Sequence, residues 1–507
     1  MHLQMHNSCP FAALLQKRSK NTAQIQQKRS NPDASLRPVS ELKNSPKIKT
    51  PHFSSPSCSS SPMPNPPRHG TPTSPLLLLF LPLLLLSSST SAKVPPSETF
   101  SYSNSGEFGP YIAEYSATYR LLPIASSPFQ LCFFNSTPSS FFLALRLGTP
   151  RSESIFRFVW TANPSRPVAD NAVFSLLADG DLRLTDADGS LVFSSKTAGK
   201  GVKGLRLLPN SNIVLVDTRG SSLWQSFEHP ADTLLVGQSL NVGKKLVSRL
   251  GGYSLAAESG GLALYMNKIA GGKPLLYSTG GGIMRIAGNG LKSVMFRADP
   301  QTNKENEIPY AYELGFKLEP NLGSLITGRP KYNGTVSFIR IEEDGNLIAY
   351  TFYSPVDYQA WEHVFVVFSG DIGWENHCRR PSKCGAMGIC AQEMCVACPE
   401  PPGQLAGWSE QCAPPAAAQS MSCKKGMAAA AAAEYYKVVG VESFVNRYGK
   451  SVEGVDVGEC RGRCDLECGC LGVLYWEKER KCWLAWVIGT LEKVGDESHV
   501  AWIKYYK

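Results

Sequence analysis

The feature that most constrains the fold of this chain is the distribution of its cysteines. The chain has 15 cysteines in 507 residues, and after Cys9, Cys58 and Cys132 the other twelve lie between Cys378 and Cys482. An even and dense set of this kind is typical of a disulfide framework in an exported chain. A zinc site is the alternative, but it is disfavoured because only four histidines follow residue 92 and the cysteines do not form two regularly spaced CxxC motifs. The sequence therefore predicts disulfides, with no metal and no cofactor.

An apolar segment near the amino terminus indicates export. Residues 76–86 read LLLLFLPLLLL and are followed by small residues through Ala92. This run is too short to cross a bilayer but suits a signal peptide over 76–92, cleaved after Ala92. Residues 1–75 have no apolar period and are expected to be a disordered leader, with translation naturally starting at Met63. The sequence predicts a secreted protein, and an uncleaved signal anchor that tethers it to a membrane is the alternative.

The positive charge of the chain is concentrated in the same leader. The formal net charge is +9, and residues 1–92 carry ten Lys and Arg against two Asp and Glu, a net of +8. The difference, 9 − 8 = +1, leaves the rest of the chain almost neutral. Nucleic acids need a basic surface, so no nucleic-acid partner is expected. No second apolar run is long enough to span a membrane, so no span is expected in the mature chain.

Short alternating strands fill most of the region after the leader. Segments such as FFLALRLGT and GDLRLTDADGSLVFSS alternate apolar and polar residues between Gly, Asn, Asp and Pro turns. The strings ADGDLRL, LPNSNIVLVD and EDGNLIAY repeat one turn-and-strand unit. Such repetition is typical of an all-β sandwich, barrel or prism. Two β domains are therefore predicted, over 97–240 and 241–372.

The cysteine-rich region divides into two parts. Residues 374–412 have almost no apolar period, so disulfides must hold this segment in place of a core. In the last part, over 423–507, Cys460 and Cys464 are spaced to share one face of a helix, and Cys468 and Cys470 to share one face of a strand. A helix fastened to a sheet is therefore expected, and the strings CWLAWVIGT and SHVAWIKYY are expected to complete that sheet.

Several strings resemble a known family. VWTANPSRPV, WQSFEHPADTLLVGQSL and EEDGNLIAY resemble plant bulb-type, mannose-binding lectin modules of the S-locus glycoprotein type. PSKCGAMGICAQEMCVAC resembles that family's EGF-like segment, and the cysteines from MSC to KCW resemble its PAN (apple) module. The resemblance implies a mainly β fold with two bulb-type lectin-like β-prism domains, a small disulfide-rich EGF-like module over 374–412 and an α+β PAN module over 423–507. Many members continue into a kinase, whereas this chain resembles a kinase-less member secreted to the apoplast or cell wall.

The resemblance also implies which cysteines are bridged. We expect Cys460 to pair with Cys482, and Cys464 to pair with Cys468 or Cys470, while the connectivity in the EGF-like segment stays open. The expected disulfide set is Cys378, Cys384, Cys390, Cys395, Cys398, Cys412, Cys423, Cys460, Cys464, Cys468, Cys470 and Cys482. Cys132 is expected to be a buried, inert thiol, and an intermolecular bridge is the alternative.

The family's sugar motif is Q-x-D-x-N-x-V-x-Y, in which alternate side chains leave one face of a strand and converge on sugar hydroxyls. The third copy in this chain is the main candidate for a carbohydrate site and comprises Glu342, Asp344, Asn346, Ile348 and Tyr350. The second copy is a weaker candidate and comprises Asn210, Asn212 and Val214. The first copy matches only at Asp179. The alternative is that these Asp and Asn side chains serve only their own turns.

The remaining motifs concern modification and catalysis. Asn135 and Asn333 begin N-glycosylation sequons and are expected to be modified in an exported chain. The chain contains no G-x-S-x-G, H-E-x-x-H or G-x-x-x-x-G-K-[ST] motif, so we expect no enzymatic activity.

These observations lead to two functional hypotheses. The first is an extracellular protein that binds mannose-type glycans or glycoproteins without catalysis. The second is a secreted protein-interaction module, a receptor-like decoy or co-receptor ectodomain, whose lectin sites have lost sugar binding. In that case the PAN module is expected to engage a receptor or a peptide.

Overall fold

Alternation of apolar and polar residues along short strands produces a mainly β structure, which confirms the predicted fold class. The structure is a computed structural model that describes residues 93–150, 155–267, 269, 272–300, 312–332, 335–354, 356, 360–371, 373–415, 433–467 and 469–506. The leader expected over 1–75 and the signal peptide expected over 76–92 lie outside these residues. Asn333, Cys423 and Cys468 lie outside them as well.

Three antiparallel sheets around one apolar core form the first β-prism. One sheet contains β1 (Phe100–Ser103), β6 (Val173–Leu176), β7 (Leu182–Thr185) and β8 (Leu191–Ser194). A second contains β2 (Tyr119–Ser126), β3 (Phe129–Thr137), β4 (Ser140–Leu147) and β5 (Arg157–Thr161). The third contains β9 (Gly204–Leu207), β10 (Ile213–Val216) and β11 (Ser222–Gln225).

Three four-stranded antiparallel sheets form the second β-prism. One contains β12 (Thr233–Leu235), β21 (Thr335–Ile341), β22 (Leu347–Tyr353) and β23 (Trp361–Val366). The next contains β13 (Ser239–Asn241), β18 (Ser293–Pro300), β19 (Tyr312–Glu319) and β20 (Ser324–Gly328). The last contains β14 (Lys245–Val247), β15 (Tyr253–Glu258), β16 (Gly261–Met266) and β17 (Leu275–Ser278). Because β12 already pairs with β21, the second set of sheets begins before residue 240.

The sheet β12–β21–β22–β23 is a wall common to both prisms. Phe338 and Tyr350 belong to the core of the first prism, whereas their chain neighbours Ile339 and Ala349 belong to the core of the second. Successive side chains of a strand point to opposite faces, so one sheet can cover two cores. The two prisms are therefore packed through a buried sheet rather than joined by a free linker.

The two cysteine-rich modules also share a sheet. It contains β24 (Ile389–Ala391), β25 (Met394–Glu400), β26 (Gln404–Gly407), β28 (Val441–Glu442) and β32 (Leu491–Lys493). The other sheet of this region contains β27 (Glu434–Val439), β29 (Val452–Glu453), β30 (Gly472–Trp476), β31 (Lys481–Ala485) and β33 (His499–Tyr505). Parallel pairing of β24 with β32 joins the segment 374–412 to the carboxyl-terminal module.

Two α-helices and several disulfides complete the described structure. The helices are α1 (Phe444–Tyr448) and α2 (Val457–Leu466), and short 3-10 turns cover Pro96–Glu98, Glu114–Ser116, Ser226–Glu228, Gly280–Gly282 and His377–Arg379. The described disulfides are Cys378–Cys390, Cys384–Cys395, Cys398–Cys412, Cys460–Cys482 and Cys464–Cys470. Cys460–Cys482 fastens α2 to β31. Cys470 precedes β30 in a loop, and is not on the strand face that its spacing suggested.

Candidate carbohydrate site

The third copy of the sugar motif lies in the hairpin between β21 and β22. Its first three positions occupy the turn, and its last two lie on β22. The turn is closed by Asp344, whose Oδ1 accepts the backbone N–H of Asn346 at 2.9 Å. Asp344 is the exposed member of the copy, and its other oxygen forms an ion pair with Arg380. The Asp344 side chain thus serves its own turn and a neighbouring cation.

Asn346 is held by the backbone of a distant segment. The residue is 2% exposed, its Nδ2 donates to the Phe368 carbonyl at 3.3 Å, and its Oδ1 accepts the Phe368 N–H at 3.1 Å. Both ends of the amide are therefore used to tie the hairpin to the segment that follows β23. A sugar bound here would have to displace these two hydrogen bonds.

Glu342 and Tyr350 are brought together, but they bond each other. The Tyr350 hydroxyl donates to Glu342 Oε1 at 2.6 Å, and Arg340 Nε donates to the same oxygen at 2.9 Å. Tyr350 is 4% exposed, and burial raises the pKa of its hydroxyl well above its usual range. The Arg157 guanidinium lies 4.4 Å from the centroid of the Tyr350 ring. Ile348 is half-buried and lies on β22, two residues before Tyr350.

The reason for this arrangement is a buried arginine. Arg340 is 2% exposed, and its two terminal nitrogens donate to both oxygens of Glu114 at 3.0 and 2.9 Å. Glu114 also accepts the backbone N–H of Phe158 at 2.5 Å. Glu114 lies in the 3-10 turn between β1 and β2 of the first prism, and Arg340 lies on the wall that both prisms share. Glu342 thus supplies a second carboxylate to a buried ion pair between the prisms.

The second copy begins a chain of side-chain hydrogen bonds, called the relay below, which runs from the buried Asn212 through Gln225 to the exposed Glu228. Asn212 is 6% exposed, and its Nδ2 donates to Gln225 Oε1 at 2.8 Å. Gln225 Nε2 in turn donates to Glu228 Oε1 at 2.8 Å. Asn212 Oδ1 accepts the Phe227 N–H at 3.2 Å, which fixes the segment that carries Glu228. Val214 is buried on β10, and Asn210 is exposed, with its Oδ1 accepting the backbone N–H of Asn212 at 3.2 Å.

The relay ends at a small polar cleft of about 220 Å³. Its lining includes Gln225, Phe227, Glu228, Asn241 and Lys244. Glu228, Asn241 and Lys244 are exposed, so a carboxylate, an amide and an ammonium are accessible beside one aromatic ring. A cleft with a few oriented polar groups and an apolar surface is suited to a small polar ligand.

The first copy forms a closed network of its own. Asp179 Oδ1 accepts the Asp181 N–H at 2.9 Å, and Asp181 accepts hydrogen bonds from Ser194, Ser195 and Arg183. Asp181 is 3% exposed, so this copy serves the packing of β7 and β8.

The other predicted sites have the following environments. Asn135 is half-buried on β3, and its Oδ1 accepts the Thr118 N–H at 2.8 Å. Cys132 is a free and fully buried thiol, and burial raises its pKa to about 12. Within the described ranges, no group of His, Cys, Asp and Glu side chains is arranged to hold a metal ion. None of the helices in the described part of the chain has the length and apolar character to cross a membrane.

The fold and the motif hairpins define a lectin-like protein of the bulb type. A family model described as D-mannose binding lectin matches residues 157–251. "EP1-like glycoprotein 2" of Arabidopsis thaliana is 42% identical over 449 residues, covering 82% of this chain and 95% of that protein. "Epidermis-specific secreted glycoprotein EP1" of Daucus carota is 42% identical over 347 residues, covering 64% of this chain and 88% of that protein. The chain therefore belongs to the EP1-like glycoprotein family.

Lectin receptor kinases are more distant relatives. A G-type lectin S-receptor-like serine/threonine-protein kinase of Arabidopsis thaliana is 24% identical over 339 residues, covering 64% of this chain and 36% of that protein. This relationship confirms the resemblance to S-locus-type lectin proteins. Sequence reasoning did not identify Gln225 and Glu228 as site residues, although both lie in the string WQSFEHP that carries the resemblance.

Proposed function

We propose that this chain is an extracellular, non-catalytic protein that binds mannose-type glycans or glycoproteins through the polar cleft beside its second motif copy. The observation that carries the proposal is the relay from Asn212 through Gln225 to Glu228, which orients a carboxylate at the wall of that cleft. Hydroxyl groups of a hexose can donate to Glu228 and accept from Lys244. The Phe227 ring offers a surface for the apolar C–H face of the sugar.

Extracellular location is part of the same proposal. It is supported by the apolar run over 76–86, by the disulfides of the described region and by the name of the carrot relative, a secreted glycoprotein. The apoplast and the cell wall are the compartments proposed, because glycans and glycoproteins are abundant ligands there. Glycosylation of Asn135 and Asn333 is proposed on the same grounds.

The test is a titration of mannose and of a mannose oligosaccharide into the purified secreted protein, followed by calorimetry or NMR shifts. Glu228→Ala should lower the affinity about tenfold, because a charge-assisted hydrogen bond is lost. Glu410→Ala, which removes an exposed carboxylate of the EGF-like segment, is the matched control and should leave affinity unchanged.

Asn346→Ala separates the two motif copies in the same assay. Binding that survives Glu228→Ala but is lost in Asn346→Ala, with folding intact, would place the sugar at Glu342, Asp344, Asn346, Ile348 and Tyr350 instead. An absence of binding by the wild type at tens of millimolar mannose would reject mannose as the ligand.

A protein-interaction role is the second candidate, and two observations favour it. The polar side chains of all three copies have partners within the protein, Asn210 and Asn212 of the second copy included, which is expected of lectin sites that have lost sugar. In the EGF-like hairpin, Met394, Val396 and Leu405 are 63%, 46% and 63% exposed. Met394 and Val396 lie two residues apart on β25 and share one face, so together they form an exposed apolar surface that a partner could cover. A receptor or peptide engaged by this region and the PAN module is the proposed partner if mannose fails to bind.

A further inference from the structure

One sheet of the first prism is apolar on both faces. On β3, Phe133 belongs to the core of the prism, whereas its neighbours Cys132 and Phe134 pack on the opposite face with Phe142 and Phe158. A sheet that covers a core on one side usually presents polar side chains to water on the other. Most of this outer face is covered within the protein, since Phe134, Phe142 and Phe158 are 2%, 8% and 4% exposed, and the remainder borders a surface cleft.

An open cleft of about 610 Å³ lies on this outer face. Phe134, Phe142, Phe158 and Tyr115 contribute its aromatic surface, and the loop 248–251 that follows β14 completes the lining on one side. Its volume falls in the range of small-molecule sites, about 300–1,000 Å³. None of Gln225, Glu228 and Lys244 lines it, so its ligand chemistry differs from that of the polar cleft.

The backbone at the edge of this cleft is strained. Tyr115 has φ 63° and ψ 16°, and Ser116 has φ 52°. Two successive residues other than glycine in the left-handed region are uncommon, and such strain is concentrated at binding sites. The conformation leaves Tyr115 37% exposed in the cleft lining, where its ring packs on Phe158 at a centroid distance of 6.5 Å.

A cation without an anionic partner lines the same cleft. The Arg249 guanidinium lies 4.5 Å from the centroid of the Tyr115 ring. Its Nε is buried and has no hydrogen-bond partner, and no ion pair reaches Arg249 from the residues that the structure describes. Lys245 is a second, exposed cation in the lining.

The one carboxyl group in this lining is weakly acidic. Burial raises the pKa of Asp232 to about 6, against the opposing effect of Arg340. Its Oδ1 accepts the Thr233 hydroxyl at 2.8 Å. The cleft therefore combines aromatic surface with an excess of positive charge, which matches a ligand with an apolar body and an anionic head.

We propose that this cleft binds an amphipathic monocarboxylate, with its apolar body against Phe134, Phe142 and Phe158 and its carboxylate on Arg249. Arginine suits this role because its planar guanidinium donates two parallel hydrogen bonds to a carboxylate. Stacking on Tyr115 holds the guanidinium while leaving its edge available. The ligand is a free small molecule, because a cleft of this volume fits one apolar chain or ring.

The test compares phenylbutanoate with phenylbutanol, which share an apolar body and differ in charge, by calorimetry on the full secreted protein at neutral pH. Phenylbutanoate should bind about tenfold more tightly than phenylbutanol. Arg249→Gln should abolish this preference and keep the weak binding of the alcohol. Arg206→Gln removes an arginine that pairs with Glu98, is the matched control, and should change neither affinity.

A second variant tests the place of binding without weakening the core. Ser165 is exposed at the cleft, so Ser165→Trp should fill it and block both probes while the protein stays folded. Equal affinities for the two probes, or a preference that persists in Arg249→Gln, would overturn the proposal. So would binding to anionic phospholipid vesicles in the absence of binding to millimolar phenylbutanoate. Glu228→Ala should not affect phenylbutanoate, which keeps this result separate from the sugar test.

Discussion

Replacing Arg340 with methionine should destabilise the protein strongly, since Arg340 is the centre of the ion pair between the two prisms. Methionine keeps most of the apolar stem and removes the charge. The change deletes four hydrogen bonds: two to Glu114, one to Glu342 and one to the Phe158 carbonyl at 3.3 Å. It leaves the Glu114 carboxylate in a site where the residue is 4% exposed.

Loss of one partner from a buried ion pair costs about 3–5 kcal/mol of stability, mainly because the other charge is left without compensation. Here the cost should lie near the lower end, about 3 kcal/mol. Glu114 keeps its hydrogen bond from the Phe158 N–H at 2.5 Å. Its negative charge is still partly compensated by Arg157, whose Nη1 lies 3.4 Å away. Glu342 keeps the Tyr350 hydroxyl.

The measurement is the free energy of urea unfolding at neutral pH with disulfides intact, for Arg340→Met, Glu114→Gln and the double variant. Removing both charges should cost less than the sum of the single changes, with a coupling energy of about 2 kcal/mol. The exposed pair Arg206–Glu98 is the control, and its coupling should be below about 1 kcal/mol. Additive effects of Arg340→Met and Glu114→Gln, or a single-variant loss below about 1 kcal/mol, would refute the reasoning.

Three further predictions concern stability. Burial raises the pKa of Asp232 from 3.8 to about 6, so ionisation of this carboxyl destabilises the folded state as the pH rises through this window. Asp232→Asn should therefore raise the free energy of unfolding by about 1–3 kcal/mol at pH 7 and change it little at pH 4, as measured by thermal unfolding. Asn346→Ala should cost about 1–3 kcal/mol in urea unfolding, because it leaves the buried Phe368 N–H and carbonyl without partners, and a neutral result would contradict that role. Cys460→Ser opens a loop with a sequence separation of 22 to Cys482 and should cost about 3 kcal/mol in denaturant unfolding; equal stabilities of variant and wild type would show that the bridge is not formed.

The prism strands were predictable because alternation is a local signal. On β22, successive side chains of the run LIAYTFY enter two different cores. The sequence does not predict that both faces are buried, because Ala349 and Tyr350 are both ordinary strand residues and neither indicates which core it enters. The shared wall depends on pairing between β12 and β21, which are about a hundred residues apart in the chain. Long-range pairing of this kind leaves no local pattern.

The cysteine-rich modules show the same limit. Their spacing indicated a helix beside a sheet, and α2 and β31 are joined by Cys460–Cys482. The parallel pairing of Ile389 with Leu491 was not predictable, because each strand is only three residues long and lies in a different module. A motif identifies each module separately, so it contains no information on which strands of different modules pair with each other.

For the candidate site, the motif identified the positions but not their partners. Asn346 reads as a sugar ligand or a turn residue, and the structure gives it the Phe368 backbone instead. Phe368 is separated from the motif by a whole strand. The motif does not point to Glu228, because Glu228 follows the motif in sequence and is linked to the candidate site only through Gln225.

The change from Gln to Glu at the first position of the third copy has a physical explanation in Arg340. A buried guanidinium has five donors and one positive charge, and Glu114 satisfies only its two terminal nitrogens directly. The Nε donor needs another acceptor, and Glu342 provides one with a charge, whereas a glutamine would provide a neutral oxygen. The same oxygen accepts the Tyr350 hydroxyl, so the residue that stands where the motif has glutamine also holds the motif's tyrosine inside the protein. Glu342 therefore stabilises the contact between the prisms and occupies the Tyr350 hydroxyl, while Phe368 and Arg380 hold Asn346 and Asp344, and for these reasons we propose the polar cleft beside the second copy as the place to look for a glycan.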